Sequence, residues 1–573
     1  MVSVLSYNII SPLGNTATEN FNAVLQGRSS IRRWHDHWDI PEDFMASLFS
    51  DEQTADAHQE GFTRLESFAW ASITNAVKQA NVSLSTKRTV LIFSTTKGNI
   101  ELLGKENMSE RCLPISSAKL ISERLGLETE PIVVDNACIS GLSALILAQR
   151  LIELGLYDHV IVCGVECQSK FIISGFQSLK AMSPNPCRPF DINRNGLNLG
   201  EAAATMILSR DEGCGWQLAD GVMRNDAFHL SAPAKDGIGA MKALQKATHG
   251  IPKEDIAFIN AHGTATLFND QMESVAIERA GLSSIPVNGY KGCYGHTMGA
   301  CGVLETVVSM EAMNHHVILP TKGFSELGVS GRIKVIGDEG LNVNGESTEN
   351  QSFVKMLSGF GGCNAAILMT QDKYLKETER CKKGDLCLKQ THHVHILPSS
   401  IEIDGKKIET KATGKQMLTE LYKSHVANYP RFYKMDMLGR LGFIATELLL
   451  NAEGKERFVE NSDHAVIFIG RSGSIVADKV YYKTIKDSKD YFPSPERFVY
   501  TLPNISTGEI AIRNHYHGET TYYSIAKKDE SMINQIVRSA FLDTDTQSVV
   551  GGWLECEEEN KFEADLYITE IEY

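Results

Sequence analysis

No apolar run in this 573-residue chain approaches the ~20 residues of a membrane span, so no transmembrane helix is expected. Positive charge is scarce. Lys and Arg number 56 against 71 Asp and Glu, the formal net charge is −15, and no Lys/Arg run offsets the deficit. That balance argues against a nucleic-acid footprint. The cysteines show no CxxC pair, and Cys163, Cys167 and Cys187 have no His-spaced zinc pattern. They read as reduced thiols of a cytoplasmic protein. The first residues lack the basic region of a signal peptide and soon reach Ser11-Pro12, so they read as a first strand. No Gly-x-Gly-x-x-Gly follows a strand and no Walker lysine loop is present. No dissociable cofactor is therefore signalled.

Core-forming residues are plentiful: 42% of the chain is hydrophobic and 22% charged. At about 150 residues per folding unit, the length suggests three or four units. Residues 1–372 alternate apolar strands with helical segments, the pattern of a layered α/β protein. Strands are expected at 2–9, 89–94, 131–135, 159–164, 203–209, 256–260, 285–288, 333–336 and 365–370. Residues 373–395 are rich in charge and read as a linker. A second block runs from 396 to 573.

That block resembles the first. Residues 113–167 lie over 502–556 without a gap. Leu113-Pro114 falls on Leu502-Pro503, and Val160 to Cys167 falls on Val549 to Cys556. Upstream, Leu91 to Phe93 falls on Val466 to Phe468, and Leu566 to Ile568 could match Thr205 to Ile207. Similarity held at one offset over this length suggests a duplicated unit. Chance similarity between two strand–helix–strand segments is the competing explanation.

Cys138 is the most informative residue. It lies between the apolar strand Ile132 to Val134 and a helix expected from Ser140, with Leu142, Leu145, Ile146 and Ile152 at helical spacing. A second strand begins at His159. A thiol at this turn faces a helix N-terminus, whose free N–H groups favour the thiolate. A buried structural cysteine is the bland alternative. Two histidine motifs tip the balance. His262, in Asn260 to Thr266, follows the strand Ile256 to Ile259, and His296, in Lys291 to Gly302, follows Pro286 to Asn288. Both stand at carboxyl ends of strands, where α/β folds place ligand sites. A glycine-rich turn, Gly359-Phe360-Gly361-Gly362, offers N–H groups for an oxyanion. Each piece alone is weak: a lone histidine is more often a core residue, and such a turn is usually only a turn. A zinc site from one Cys and two His is the minor option at these spacings.

Taken together and in this order, the motifs resemble those of β-ketoacyl-acyl-carrier-protein synthases of the elongating, type II-like class, in the thiolase superfamily. The resemblance runs through nearly all of 1–372. It rests on Ser11-Pro12-Leu13-Gly14, Asp135 to Cys138, Arg188 to Asp191 with Arg194, Gly196 and Gly200-Glu201, His262 to Thr266, Lys291 with Gly295-His296, and Gly359 to Gly362 with Asn364. It implies a thiolase-like layered α-β-α-β-α fold, with a C-terminal α/β half-unit of the same type. The implied domains are 1–212 and 213–372 as the two ketosynthase halves, a linker at 373–395, and a degenerate N-terminal half at 396–573. By the same resemblance Cys138 is the acyl-accepting nucleophile, and His262 and His296 assist decarboxylation and condensation. Phe360 gates the pocket and its N–H joins that of Cys138 in an oxyanion hole, with Lys291 and Glu305 in support. No cofactor and no metal is implied. The implied partners are acyl carrier protein bearing acyl and malonyl thioesters, and a second copy or a ketosynthase-like subunit as dimer partner, with neither nucleic acid nor membrane. Gly200-Glu201-Ala202-Ala203, Met356-Leu357-Ser358 and Cys363 depart from the family's usual residues, which leaves acyl chain length open. Two other readings compete: a degradative thiolase using Cys363 as base, and a chain-length-factor-like protein without catalysis. The second suits 396–573, where Lys527 falls on the position of Cys138.

Overall fold

A computed structural model of the chain describes residues 2–105, 110–342, 351–371 and 386–572. Three strand groups form one continuous mixed sheet system. The first group is β1 (Val2–Ile10), β2 (Thr89–Ser94), β3 (Ile132–Val134), β4 (His159–Glu166) and β5 (Ala202–Ser209), in the order β3-β2-β4-β5-β1. The second is β6 (Gln217–Asn225), β7 (Ile256–Asn260), β8 (Pro286–Asn288), β9 (Lys334–Val335), β10 (Ser352–Ser358) and β11 (Cys363–Thr370), in the order β6-β11-β10-β7-β8-β9. A short antiparallel contact between β1 and β6 joins the two.

Helices fill the layers. α1 (Arg64–Ala80) packs on the outer face of the first group, and α2 (Ser140–Glu153) lies inside. α3 (Ile238–Ala247) and α4 (Leu267–Arg279) belong to the second group, and α5 (Cys301–Asn314) packs against α2 between the sheets. Ser140 to Ile152 of α2 and Cys301 to Met313 of α5 are all buried. A helix buried all round carries no polar stripe. The two helices approach at glycines: a Cβ on Gly141 would lie 3.0 Å from the Gly302 backbone. The α-β-α-β-α arrangement is the thiolase-like layering expected.

The third group is β12 (Leu388–Leu397), β13 (His464–Gly470), β14 (Thr520–Ser524), β15 (Ser548–Glu558) and β16 (Lys561–Ile571). Its order, β14-β13-β15-β16-β12, repeats that of the first group. The register repeats as well. Phe93 opposite Val133 is matched by Phe468 opposite Tyr522, and Leu91 opposite Ile161 by Val466 opposite Val550. Ile161 opposite Ile207 is matched by Val550 opposite Ile568. These are the residue equivalences that the sequence offsets propose. α6 (Met437–Glu453), α7 (Ile505–Asn514) and α8 (Glu530–Ala540) complete the unit.

The third group docks on the first. β14 runs antiparallel to β3, with Tyr523 opposite Val134 and Ser524 opposite Val133. Both edges are thereby covered, as a half-unit with an open sheet edge requires. One hydrophobic core spans the seam, holding Val134 and Leu145 together with Ile467, Tyr523 and Ile536. Buried ion pairs also tie the third group to the rest: Lys97 with Asp478 at 2.7 Å and Arg150 with Glu519 at 2.6 Å to the first group, and Arg224 of β6 with Asp543 to the second.

Two expectations need correction. The linker does not extend to 395, because β12 begins at Leu388. In β12 only Val394 and Ile396 are fully buried, and His392, His393 and His395 face acidic partners on the outer side. That half-polar composition hid the strand. Residues 373–385 of the expected linker lie outside the described residues. Strands β6 and β10 were not expected at all. Arg224 and Lys355 interrupt their apolar patterns, and each is buried in an ion pair.

Candidate active site

The elbow at Cys138 is tight. Ala137 takes a left-handed φ of 48°, a strained value for a residue with a Cβ. The Ser140 hydroxyl braces it, donating to the Ala137 carbonyl at 2.6 Å and accepting from the Asn136 N–H at 2.8 Å. His262 follows β7, and its N–H and that of Gly263 donate to the Glu273 carboxyl at 2.6 and 2.8 Å. His296 is placed by its own N–H, which donates to the Asn198 carbonyl at 2.6 Å. The preceding Gly295 has φ +68°, and a Cβ there would lie 2.5 Å from the Leu199 carbonyl oxygen. Only glycine fits that approach.

These elements converge. The Cys138 sulfur and one nitrogen of each imidazole all lie within 4.8 Å of one another. The imidazole centroids are 4.9 Å apart at 81°. The Met298 N–H donates to His296 Nδ1 at 3.3 Å, which leaves the His296 proton on Nε2. That Nε2 is buried without a partner, and so is Nδ1 of His262. Burial first, then the positive charges of Lys291 and Lys355, holds both imidazoles well below the usual histidine range. Both are therefore neutral near pH 7. The three atoms could geometrically hold a metal, but the two ammonium groups beside them disfavour a further cation.

The thiol does not rest as the thiolate expected from its helix N-terminus. Burial pushes Cys138 up to about 12, against the charge of Lys291 and hydrogen bonds from the N–H groups of Cys138 and Phe360. Desolvation outweighs the helix end here. Those two N–H groups are both aimed at the Cys138 sulfur.

Lys291 and Glu305 meet, Nζ to Oε1 at 2.8 Å, but they are not alone. Lys355 on β10 pairs with the other Glu305 oxygen and donates to the Ala261 carbonyl at 3.1 Å. All three side chains are at most 1% exposed. Burial alone would raise the Glu305 carboxyl, yet the two lysines hold it below its ordinary value. Sequence reasoning missed Lys355. Its signal was a cation inside the apolar run Phe353 to Leu357.

A cavity of about 390 Å³ is lined by Cys138, His262, His296, Phe360 and, toward solvent, exposed Leu267 and Phe268. Phe360 stacks on Phe176 with centroids 6.1 Å apart. Its carbonyl accepts from the Asn504 amide of the C-terminal unit at 2.8 Å. Cys363 does not line the cavity; its thiol donates to the Phe360 carbonyl at 3.2 Å. Lys527 stands in the strand-to-helix turn equivalent to the Cys138 elbow, and it is exposed.

A layered sheet pair carrying Cys, His and His at strand ends, beside a glycine-flanked Phe, defines a thiolase-like condensing enzyme. The beta-ketoacyl synthase N-terminal domain profile matches residues 1–213 and the C-terminal domain profile matches 217–325. The chain belongs to the β-ketoacyl synthase family. It is similar to 3-oxoacyl-[acyl-carrier-protein] synthase 2 of Vibrio cholerae, 26% identical over 417 residues, covering 64% of this chain and 98% of that one. Synthase 2 of Mycobacterium leprae is 33% identical over 250 residues, 40% of this chain and 58% of that relative. Among solved structures, a beta-ketoacyl synthase from Burkholderia phymatum aligns over 65% of this chain and 99% of its own, at 25% identity and a TM-score of 0.59. The PfaC keto synthase–chain length factor structure aligns over 100% of this chain and 78% of its own, at a TM-score of 0.79 and 15% identity. At that identity the likeness shows the fold, and it includes the C-terminal unit.

Proposed function

We propose that the chain is a 3-oxoacyl-[acyl-carrier-protein] synthase that elongates a fatty acid or polyketide by decarboxylative Claisen condensation, with Cys138, His262 and His296 as its catalytic groups. The convergence of one buried thiol and two neutral imidazoles carries this reading. Cys138 takes the acyl group from a carrier-protein thioester, and the carrier thiol leaves with the cysteine proton. An imidazole relays that proton, because the buried thiol holds it at neutral pH. The N–H groups of Cys138 and Phe360 stabilise the tetrahedral oxyanion. A malonyl thioester then loses carbon dioxide, and the two imidazoles donate to the enolate oxygen that forms. The enolate carbon attacks the acyl carbonyl, and Cys138 leaves as thiolate, which takes back a proton from water through an imidazole.

We divide the chain into 1–212 and 213–372 as the catalytic halves and the block from Leu388 as a catalytically silent half-unit. Lys527 in place of a cysteine supports the silence. The β3 edge is already occupied by β14, so a homodimer would need another surface, and the chain supplies its own ketosynthase-like partner. Acyl carrier protein is the implied donor. Among the described residues no helix is long and apolar enough to cross a membrane. The Cys363 thiol is engaged with the Phe360 carbonyl, which weighs against its use as a thiolase base.

Intact-mass analysis after mixing with acyl-carrier-protein thioesters of several lengths tests the proposal. The parent protein is expected to gain one acyl mass, and Cys138→Ala to gain none while keeping its fold. An Ala variant that still acylates would overturn the assignment.

A further inference from the structure

The Lys291–Glu305–Lys355 group is unusual as an ion pair. Two ammonium groups share one carboxylate where almost no solvent reaches. A buried charge without a full partner is costly, and replacing a whole buried charge cluster with apolar residues is often neutral or stabilising. The excess cation therefore invites a role beyond packing. Lys355 sits where that role is plain. On β10 it is the register partner of Asn260, the last residue of β7, and its Nζ holds the Ala261 carbonyl at 3.1 Å. The next residue is His262.

Lys291, from the turn after β8, and Lys355, from β10, act on both imidazoles, and His296 also acts on His262. The Glu273 carboxyl on α4 accepts from the His262 N–H, Glu305 on α5 pairs with both lysines, and the Cys138 sulfur lies within 4.8 Å of a nitrogen of each ring. The other buried acids of this region are Glu166 at the end of β4, Asp226 after β6 and Asp270 on α4. Burial pushes Glu166 up to about 7 and Asp226 and Asp270 to about 6, and raises Glu273 with help from Asp270. Burial also lowers the Lys355 ammonium, with Glu305 pulling the other way.

Resting on the ketosynthase reading of this site, we propose that Lys355 is a positioning residue for the condensation: it anchors the backbone that carries His262 and leaves the lysine–glutamate group net positive beside both imidazoles. Net positive charge keeps the imidazoles neutral and favours the negative charge that develops on thiolate and enolate. Nothing else on β10 or β7 among the described residues reaches the Ala261 carbonyl with a cation.

Two variants separate the anchor from the charge. Lys355→Met removes both and leaves the group neutral. Glu305→Gln/Lys355→Met removes the anchor but restores one net positive charge, on Lys291. Imidazole titrations are read by NMR of ¹³C-histidine protein, and decarboxylation by carbon dioxide release from malonyl-coenzyme A. Losing the cation raises an imidazole pKa, so Lys355→Met should shift at least one site histidine upward by about one unit, tenfold in proton affinity. The double variant should titrate like the parent. Both should decarboxylate more slowly, by roughly tenfold or more, because the His262 backbone is released. A Lys355→Met protein that titrates like the parent, or either variant decarboxylating at the parental rate, overturns the inference. Should Lys355→Met fail to fold, the double variant decides through its rate. A parent protein that neither acylates Cys138 nor decarboxylates malonyl-coenzyme A would instead defeat the ketosynthase reading itself.

Discussion

Removing the Glu519 carboxylate should loosen the seam and, through it, the nucleophile. Glu519 Oε2 lies 2.6 Å from Arg150 Nη1, and the side chains are 1% and 4% exposed. At an effective dielectric of about 20, charges ~4 Å apart attract by about 4 kcal/mol, a gain of the same order as the desolvation they suffer. The intact pair is therefore near break-even. Glu519→Ala is different, because it leaves a guanidinium buried without its counter-charge. Such a break costs about 3–5 kcal/mol. Arg150 Nη2 is already buried without a hydrogen-bond partner, and Asp543, itself paired with Arg224, is the remaining carboxylate that acts on it. It lies on α2, whose first turn follows Cys138, while Glu519 immediately precedes the strand paired with β3. Urea unfolding followed by circular dichroism and tryptophan fluorescence should show the loss. Acylation of Cys138 should fall in parallel, at urea concentrations the parent tolerates. Arg150→Met/Glu519→Leu should recover most of the stability, because it removes both charges together. If Glu519→Ala costs less than about 1 kcal/mol, the seam is held by its apolar core alone and this reasoning fails.

His262→Ala and His296→Ala should each slow malonyl decarboxylation by about 10²–10⁴-fold while sparing initial acylation more, a split that single-turnover acylation against carbon dioxide release would measure. Asn504→Ala removes one hydrogen bond, about 1 kcal/mol, from the Phe360 carbonyl and should speed alkylation of Cys138 by a bulky maleimide several-fold. An unchanged rate would mean that the turn is held by its own glycines and Phe176. Asp543 gives a pH signature. Burial would raise it, but Arg224 holds it down to about 2, below its unfolded value. Its contribution is therefore present above pH ~4 and lost as pH falls from there toward 2. Asp543→Asn should flatten acid destabilisation in that window, as monitored by thermal melts at stepped pH.

Much of this site is readable along the chain because its chemistry sits at strand ends. Cys138, His262 and His296 each follow a short apolar run, and a strand's carboxyl end places a side chain in the crevice whatever the distant packing. The C-terminal repeat is legible for a similar reason: duplicated strands keep their residue spacing, and the ladder registers of Phe468 with Tyr522 and Val550 with Ile568 follow from it. What a linear pattern does not carry is the environment. The helix end at Cys138 argues for a thiolate, but only the packed site shows that desolvation keeps the proton on. β6 and β10 are invisible because Arg224 and Lys355 break their apolar runs, and a buried cation makes sense only beside the Asp543 or Glu305 that folding brings to it. The start of β12 is lost among polar side chains whose partners lie on β16, far along the chain. The pairing of β14 with β3 is likewise a property of two complementary edges meeting in space. The residues determine which groups can react and which strands can repeat. Three-dimensional packing alone decides which charges survive burial and which edge the second unit covers.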